Sequence, residues 1–195
     1  MALLLTVLFL TSSLGQAEAI LEPRQSEADE LEETIELIVS NASSHSDFAR
    51  YYEITESSIN SFFHFKGSDF LPSGVRVSEC RLLGTDRVLA SVTVEFEDVL
   101  TRAPSGLLHA LKFLKGRVEI SSIFSLSTEN RFGQLRLESV RLGSIEIPSS
   151  ILVNLIRSYT RSDKFPDGFN LGSRFSLPYG LETIRVDTGV VSIVQ

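Results

Sequence analysis

The chain has 195 residues, 43% hydrophobic and 22% charged, the composition of a folded globular protein rather than a disordered one. That length suits one domain behind a short leader. A net charge of −7 argues against nucleic acid or an anionic membrane as an electrostatic partner.

Ala2 to Leu10 is an almost unbroken apolar run, followed by Thr11, Ser12, Ser13 and Gly15 and then by Ala17 and Ala19. This is the apolar region and A-x-A end of a secretory signal peptide over residues 1–19, although no Lys or Arg precedes it. The run is too short to span a bilayer, which takes about 20 apolar residues. Cleavage after Ala17 or Ala19 is expected, which places the protein in the periplasm, the cell envelope or outside the cell. An uncleaved anchor and a short buried helix are the alternatives.

Residues 20–45 read as an acidic N-terminal helix. Eight carboxylates between Glu18 and Glu36 face a single Arg24. Ser26 followed by Glu27, Asp29 and Glu30 looks like a helix start, with acids at the positive end of the dipole. Leu31, Ile35, Ile38 and Val39 then give one narrow apolar stripe. The helix should end near Asn41-Ala42-Ser43-Ser44, an N-x-S sequon. Its acidic face reads as solvated surface, with a protein-binding patch as the sharper alternative. In the second helix Thr55 is the expected N-cap, Ile54 staples onto Ile59, Phe62 and Phe63 are buried, and Gly67 caps the end.

From Gly74 the period changes from 3.6 to 2. Val75 and Val77 begin a strand, and Gly84-Thr85-Asp86-Arg87 turns into the clearest run, Val88 to Phe96, where Val88, Ala90, Val92, Val94 and Phe96 share a face. Val118, Ile120, Phe124 and Leu126 share a face in the next strand. After Asn130-Arg131-Phe132-Gly133 the apolar parity changes between Leu137 and Val140, which a bulge near Glu138-Ser139 would explain, as would a strand buried on both sides. The segment Gly106–Gly116, rich in leucine and carrying two lysines, reads as a crossover covering the sheet edge or as a flap touching a membrane surface.

Pro148 should open a third helix, with Ile151, Leu152, Leu155, Ile156 and Tyr159 on one face. Phe175 and Leu177 start a further strand, and Ile184 and Val186 pair with Val190 to Val194 across Asp187-Thr188-Gly189. The expected fold is α+β, a curved antiparallel sheet of about seven strands packed against two or three helices. Residues 20–195 should form a single domain with its sheet-and-helix core in 48–195.

Chemistry is sparse. No G-x-S-x-G occurs, and no histidine lies downstream of His109 to serve a serine nucleophile. His45, His64 and His109 stand apart, so no metal site is expected. The acidic run lacks the loop of a calcium hand, no phosphate loop is present, and no cofactor is expected. Glu95, Glu97 and Glu119 lie on the wet side of predicted strands, poor ground for paired-carboxylate catalysis. Cys80 is the chain's one cysteine and reads as structural; without an internal disulfide, stability must come from the core. An enzyme is not excluded, but a non-catalytic protein is the better reading.

Ile54-Thr55-Glu56-Ser57-Ser58-Ile59-Asn60 resembles the "I-T-E-x-x-L-N" helix, and Gly143-Ser144-Ile145-Glu146-Ile147-Pro148 the "G-x-x-x-I-P" helix entry, of tubular lipid-binding (TULIP-like) bacterial envelope domains of the YpmS/LmeA type. The resemblance covers roughly Phe48 to Gln195. It implies a strongly curved sheet wrapped against a long helix, an apolar groove that accepts acyl chains, and no catalytic set. The candidate lining is Phe62, Phe63, Val92, Val94, Phe96, Ile120, Phe124, Leu152, Leu155, Ile156 and Tyr159, residues that equally suit a plain hydrophobic core. Arg141, Arg157 and Arg161 are candidates for a lipid head group. The expected function is binding or handling of lipid or another apolar ligand. A structural or interaction protein of the envelope, using the acidic helix and the sheet edges, is the alternative.

Overall fold

The computed structural model describes residues 22–42, 48–69, 71, 74–95, 116–161 and 166–195. The signal-like run, Phe96 and residues 106–115 lie outside them.

Alternating apolar residues pair face to face in a six-stranded antiparallel sheet. It is built from β2 (Val75–Gly84), β3 (Arg87–Glu95), β4 (Arg117–Glu129), β5 (Phe132–Leu142) and β6 (Ile145–Glu146) in that order, with β7 (Arg174–Ser176) pairing the other end of β5. The register aligns Val75, Val94 and Val118 in one row, and Val77, Val92, Ile120 and Leu142 in the next. Cys80, Ala90, Ser122 and Val140 follow, then Leu82, Val88, Phe124 and Leu137. Directly opposed residues share a face, so one side of this sheet is almost wholly apolar. The opposite side carries the cross-strand pairs Arg117–Glu95 and Arg87–Glu138, both 2.9 Å. Ile123 pairs with Ser139 but Phe124 with Leu137. Glu138 is therefore the extra residue of a bulge, and it keeps Leu137 and Val140 on one face despite their opposite parity.

The α+β expectation is met with three helices and nine strands among the described residues, the strands divided between two sheets. The smaller sheet has the order β1 (Tyr51–Thr55), β9 (Val190–Val194), β8 (Thr183–Asp187). The sequence pattern predicts no strand at β1; its partner, β9, comes from the far end of the chain. Two polar side chains stitch the sheets together. Thr128 Oγ1 accepts from the Ile184 N–H (2.9 Å) and donates to its carbonyl (2.7 Å). Asp86, at φ 58° in the β2–β3 turn, exchanges backbone and carboxylate bonds with Val186 at 3.0 and 2.9 Å.

The helix α2 (Glu56–Lys66) begins as expected, with Thr55 Oγ1 accepting from the Ser58 N–H at 3.1 Å. Gly67 differs: it stays right-handed at φ −61° and leads into a 3₁₀ turn, Gly67–Asp69, rather than a left-handed cap. The α2 helix lies along β2, and two of its side chains take the place of a neighbouring strand. The Asn60 amide accepts from the Cys80 N–H (2.7 Å) and donates to its carbonyl (2.8 Å), and Glu56 accepts from the Leu82 N–H (2.6 Å). An edge that would otherwise offer pairing groups to another chain is thereby covered.

The helix α1 (Gln25–Asn41) packs on α2 and on the small sheet through Ala28, Leu31 and Ile38. It starts two residues earlier than a cap at Ser26 would place it. Arg24 holds the N-cap position without a side-chain cap, so Ser26 is not the cap. Glu27 turns instead toward α2, accepting from Ser57 Oγ (2.5 Å) and Ser61 Oγ (3.0 Å) and pairing with Arg24. Lys66 of α2 returns an ion pair to Asp29 at 2.7 Å and another to Glu32.

Candidate functional site

The helix α3 (Ser149–Tyr159) rises from β6. Pro148 occupies the N-cap position, one residue before the first helical one, and its carbonyl accepts from the Ile151 N–H at 3.0 Å. Spacing places Ile151, Leu152 and Leu155 on one side. The two-residue pairing of β6 with β5, extended by the Ile147 N–H on the Val140 carbonyl (3.0 Å), aims that side at the apolar face of the large sheet. There Leu155 joins Val94, Ile120 and Val140 in a buried cluster. The other end of the same face is covered differently, with Cys80 and Leu82 meeting Val186 of β8.

Between α3 and the sheet lies a cavity of about 10 Å³, lined by Ile120, Val140, Leu142, Ile147, Ile151, Leu152 and Leu155. No polar side chain is among them. The space is that of about one water molecule, and an apolar lining gives a water nothing to bond to. Of the eleven residues proposed from sequence, Ile120, Leu152 and Leu155 line this cavity, and Val92 and Val94 pack in the same cluster. Phe124 is half-buried on the same face, in the row of Val88 and Leu137. Ile156 is half-buried on α3, Tyr159 ends that helix, and Phe96 lies outside the described residues. Phe62 and Phe63 form an edge-to-face pair, centroids 5.9 Å apart, on α2, whose packing partners are α1 and β2. Sequence reasoning passed over Val140, Leu142, Ile147 and Ile151 as lining. The first two were visible as alternation after the bulge, and Ile147 as the apolar residue held before Pro148.

The charged candidates stand away from this seam. Arg157 donates to Asn170 Oδ1 (2.6 Å), Arg141 to the Ser144 carbonyl (3.2 Å), and Arg161 is exposed. Glu95 and Glu119 sit on the opposite side of the sheet, Glu95 paired with Arg117. Burial pushes the Cys80 thiol up to about 11, with the carboxylates of Glu56 and Glu79 adding to the shift. A thiol so placed is protonated at neutral pH and a poor nucleophile. The hydrogen bond from Ser57 is the main influence holding Glu27 below its ordinary value. His64 is exposed against Phe65, while His45 and His109 lie outside the described residues. Among the described residues no three His, Cys, Asp or Glu side chains are grouped to hold a metal, and no helix is long and apolar enough to cross a membrane.

No protein-family profile matches the chain, and no curated protein matches it.

Proposed function

We propose that this is an exported envelope protein that binds or handles a lipid or another apolar ligand in the seam between α3 and the six-stranded sheet. One observation carries the reading: the seam is lined wholly by aliphatic side chains under a helix of which Leu155 alone, among the residues whose burial is described, is buried. Pockets for apolar ligands are lined in this way and have volumes of about 300–1,000 Å³. The cavity between them holds about 10 Å³, so on this reading an acyl chain enters only as α3 moves outward. The resemblance of Ile54–Asn60, with Ile59 where that motif has Leu, and of Gly143–Pro148 to segments of tubular lipid-binding domains supports the same reading.

The test is native mass spectrometry of protein exported and purified without detergent, joined to titration with the fluorescent fatty acid cis-parinaric acid. Copurified lipid and saturable probe binding are expected, and Leu155→Glu should remove both by placing a carboxylate in the seam. Folded wild-type protein that carries no lipid and binds no probe refutes the proposal.

A second reading, an interaction protein of the envelope, is favoured by large apolar side chains exposed to water: Leu37 at 55% exposure and Val39 at 42% on α1, and Tyr51 on β1 of the small sheet. It predicts a stable complex that survives Leu155→Glu and is lost on Leu37→Glu.

A further inference from the structure

The two ends of α3 are held by different kinds of bond. At the N-terminal end the attachment is backbone: β6 pairs with β5, the Ile147 N–H bonds to Val140, and both Ile147 and Ile151 enter the core cluster. At the C-terminal end it is side chain and surface. Arg157 Nη2 donates to Asn170 Oδ1 (2.6 Å), and Thr160 Oγ1 accepts from the Phe169 N–H (2.6 Å). Asn170 is fixed in turn by Ser173 Oγ (2.7 Å). The loop carrying these groups stays with the sheet, because the Gly172 N–H bonds to the Leu135 carbonyl (2.7 Å) and β7 pairs with β5. Gly168, at φ 76°, brings that loop so close to the helix that a Cβ would stand 2.0 Å from the Arg157 carbonyl oxygen.

We infer that α3 is a lid, hinged at Ile147–Pro148 and latched at its C-terminal end by Arg157, Thr160, Asn170 and the close approach at Gly168. As a gate to the seam this rests on the proposed function; as a mechanical property of the fold it does not. Exposed hydrogen bonds are individually weak, and the segment with the fewest buried contacts opens first. Ile147, Ile151, Leu152 and Leu155 belong to the core cluster and no residue described after Leu155 does, so the C-terminal turn is the end that lifts.

The experiment compares wild type, Asn170→Ala and Gly168→Ala by amide hydrogen exchange and by stopped-flow association of cis-parinaric acid. Loss of the Arg157–Asn170 bond, with the Asn170–Ser173 bond behind it, should speed exchange in the last two turns of α3 by roughly 3–10-fold, leave β4 and β5 unchanged, and raise the association rate by a similar factor. Gly168→Ala, with a forced displacement, should do more. Exchange in α3 that is unchanged in both variants, or that rises equally in β4 and β5, overturns the latch. If α3 loosens as expected while no variant binds the probe, the latch stands and the ligand reading falls. If the probe binds with unaltered rates and unaltered exchange, the ligand reading stands and the latch falls.

Discussion

Val140 is fully buried beneath α3, in the row of Cys80, Ala90 and Ser122 and against the cavity. Val140→Ala removes two methyl groups from this point. The transfer contribution is about 0.8 kcal/mol for each buried carbon, or ~1.6 kcal/mol together. If the surroundings do not collapse, a residual void of roughly 40 Å³ adds ~1 kcal/mol at about 24 cal/mol per Å³. The expected loss is therefore about 2–3 kcal/mol. Urea unfolding should show it as a midpoint lower by roughly 1 M with an unchanged slope, taking a slope of about 2–3 kcal/mol/M. The two contributions separate by a second reading. A void that persists is dry and apolar and should admit xenon, raising the variant's midpoint in a concentration-dependent way. A loss under ~0.5 kcal/mol would refute the placement of Val140 at the packed centre of the seam. A loss of ~1.6 kcal/mol without xenon binding would mean that α3 settles onto the sheet.

Other consequences are equally open to measurement. Asn60→Ala should cost about 1–3 kcal/mol in urea unfolding, since it removes both bonds to the Cys80 backbone, each worth roughly 0.5–1.5 kcal/mol, against a small gain in helix propensity. It should also promote association through the uncovered β2 edge; an unchanged midpoint would show that the edge needs no cover. Glu27 titrates below its ordinary value of 4.5 in the folded protein, so the stability it contributes is full above that pH and is lost as pH falls through the lower folded value. Glu27→Gln should flatten that part of the acid limb in a series of melts from pH 6 to pH 2, and an identical limb in both proteins would refute the Ser57–Ser61 clamp. Cys80, raised from 9.0 to about 11, runs the other way: the protonated thiol is favoured in the folded state, so its contribution is present below pH 9 and lost between about 9 and 11. At pH 8 the native protein should react with Ellman's reagent only at its rate of opening, and immediate reaction would place the thiol at the surface.

Local chemistry made much of this molecule legible before its structure. Thr55 capped α2 as its side chain and spacing required, the turns around Thr85-Asp86 and Thr188-Gly189 closed the hairpins, and the parity change between Leu137 and Val140 announced the bulge at Glu138. Each depends on neighbours within a few residues, where propensity and period act directly. The start of α1 was less legible. Ser26 has the chemistry of a cap, but the bonds that place the first turn come from Ser57 and Ser61, more than thirty residues on.

By itself, then, the sequence determined the class of the fold and the apolar face of the long strands of the large sheet, because alternation and helical spacing are properties of the chain alone. Only the tertiary structure decided how that apolar surface is shared. It put β1 beside β9, set Asn60 and Glu56 against the edge of β2, and separated Phe62 and Phe63 from the seam that takes Ile120, Leu152 and Leu155. The physical reason is that hydrophobic attraction is non-directional. It dictates that these side chains leave water, while backbone pairing and close packing between distant segments select the partners they leave it with.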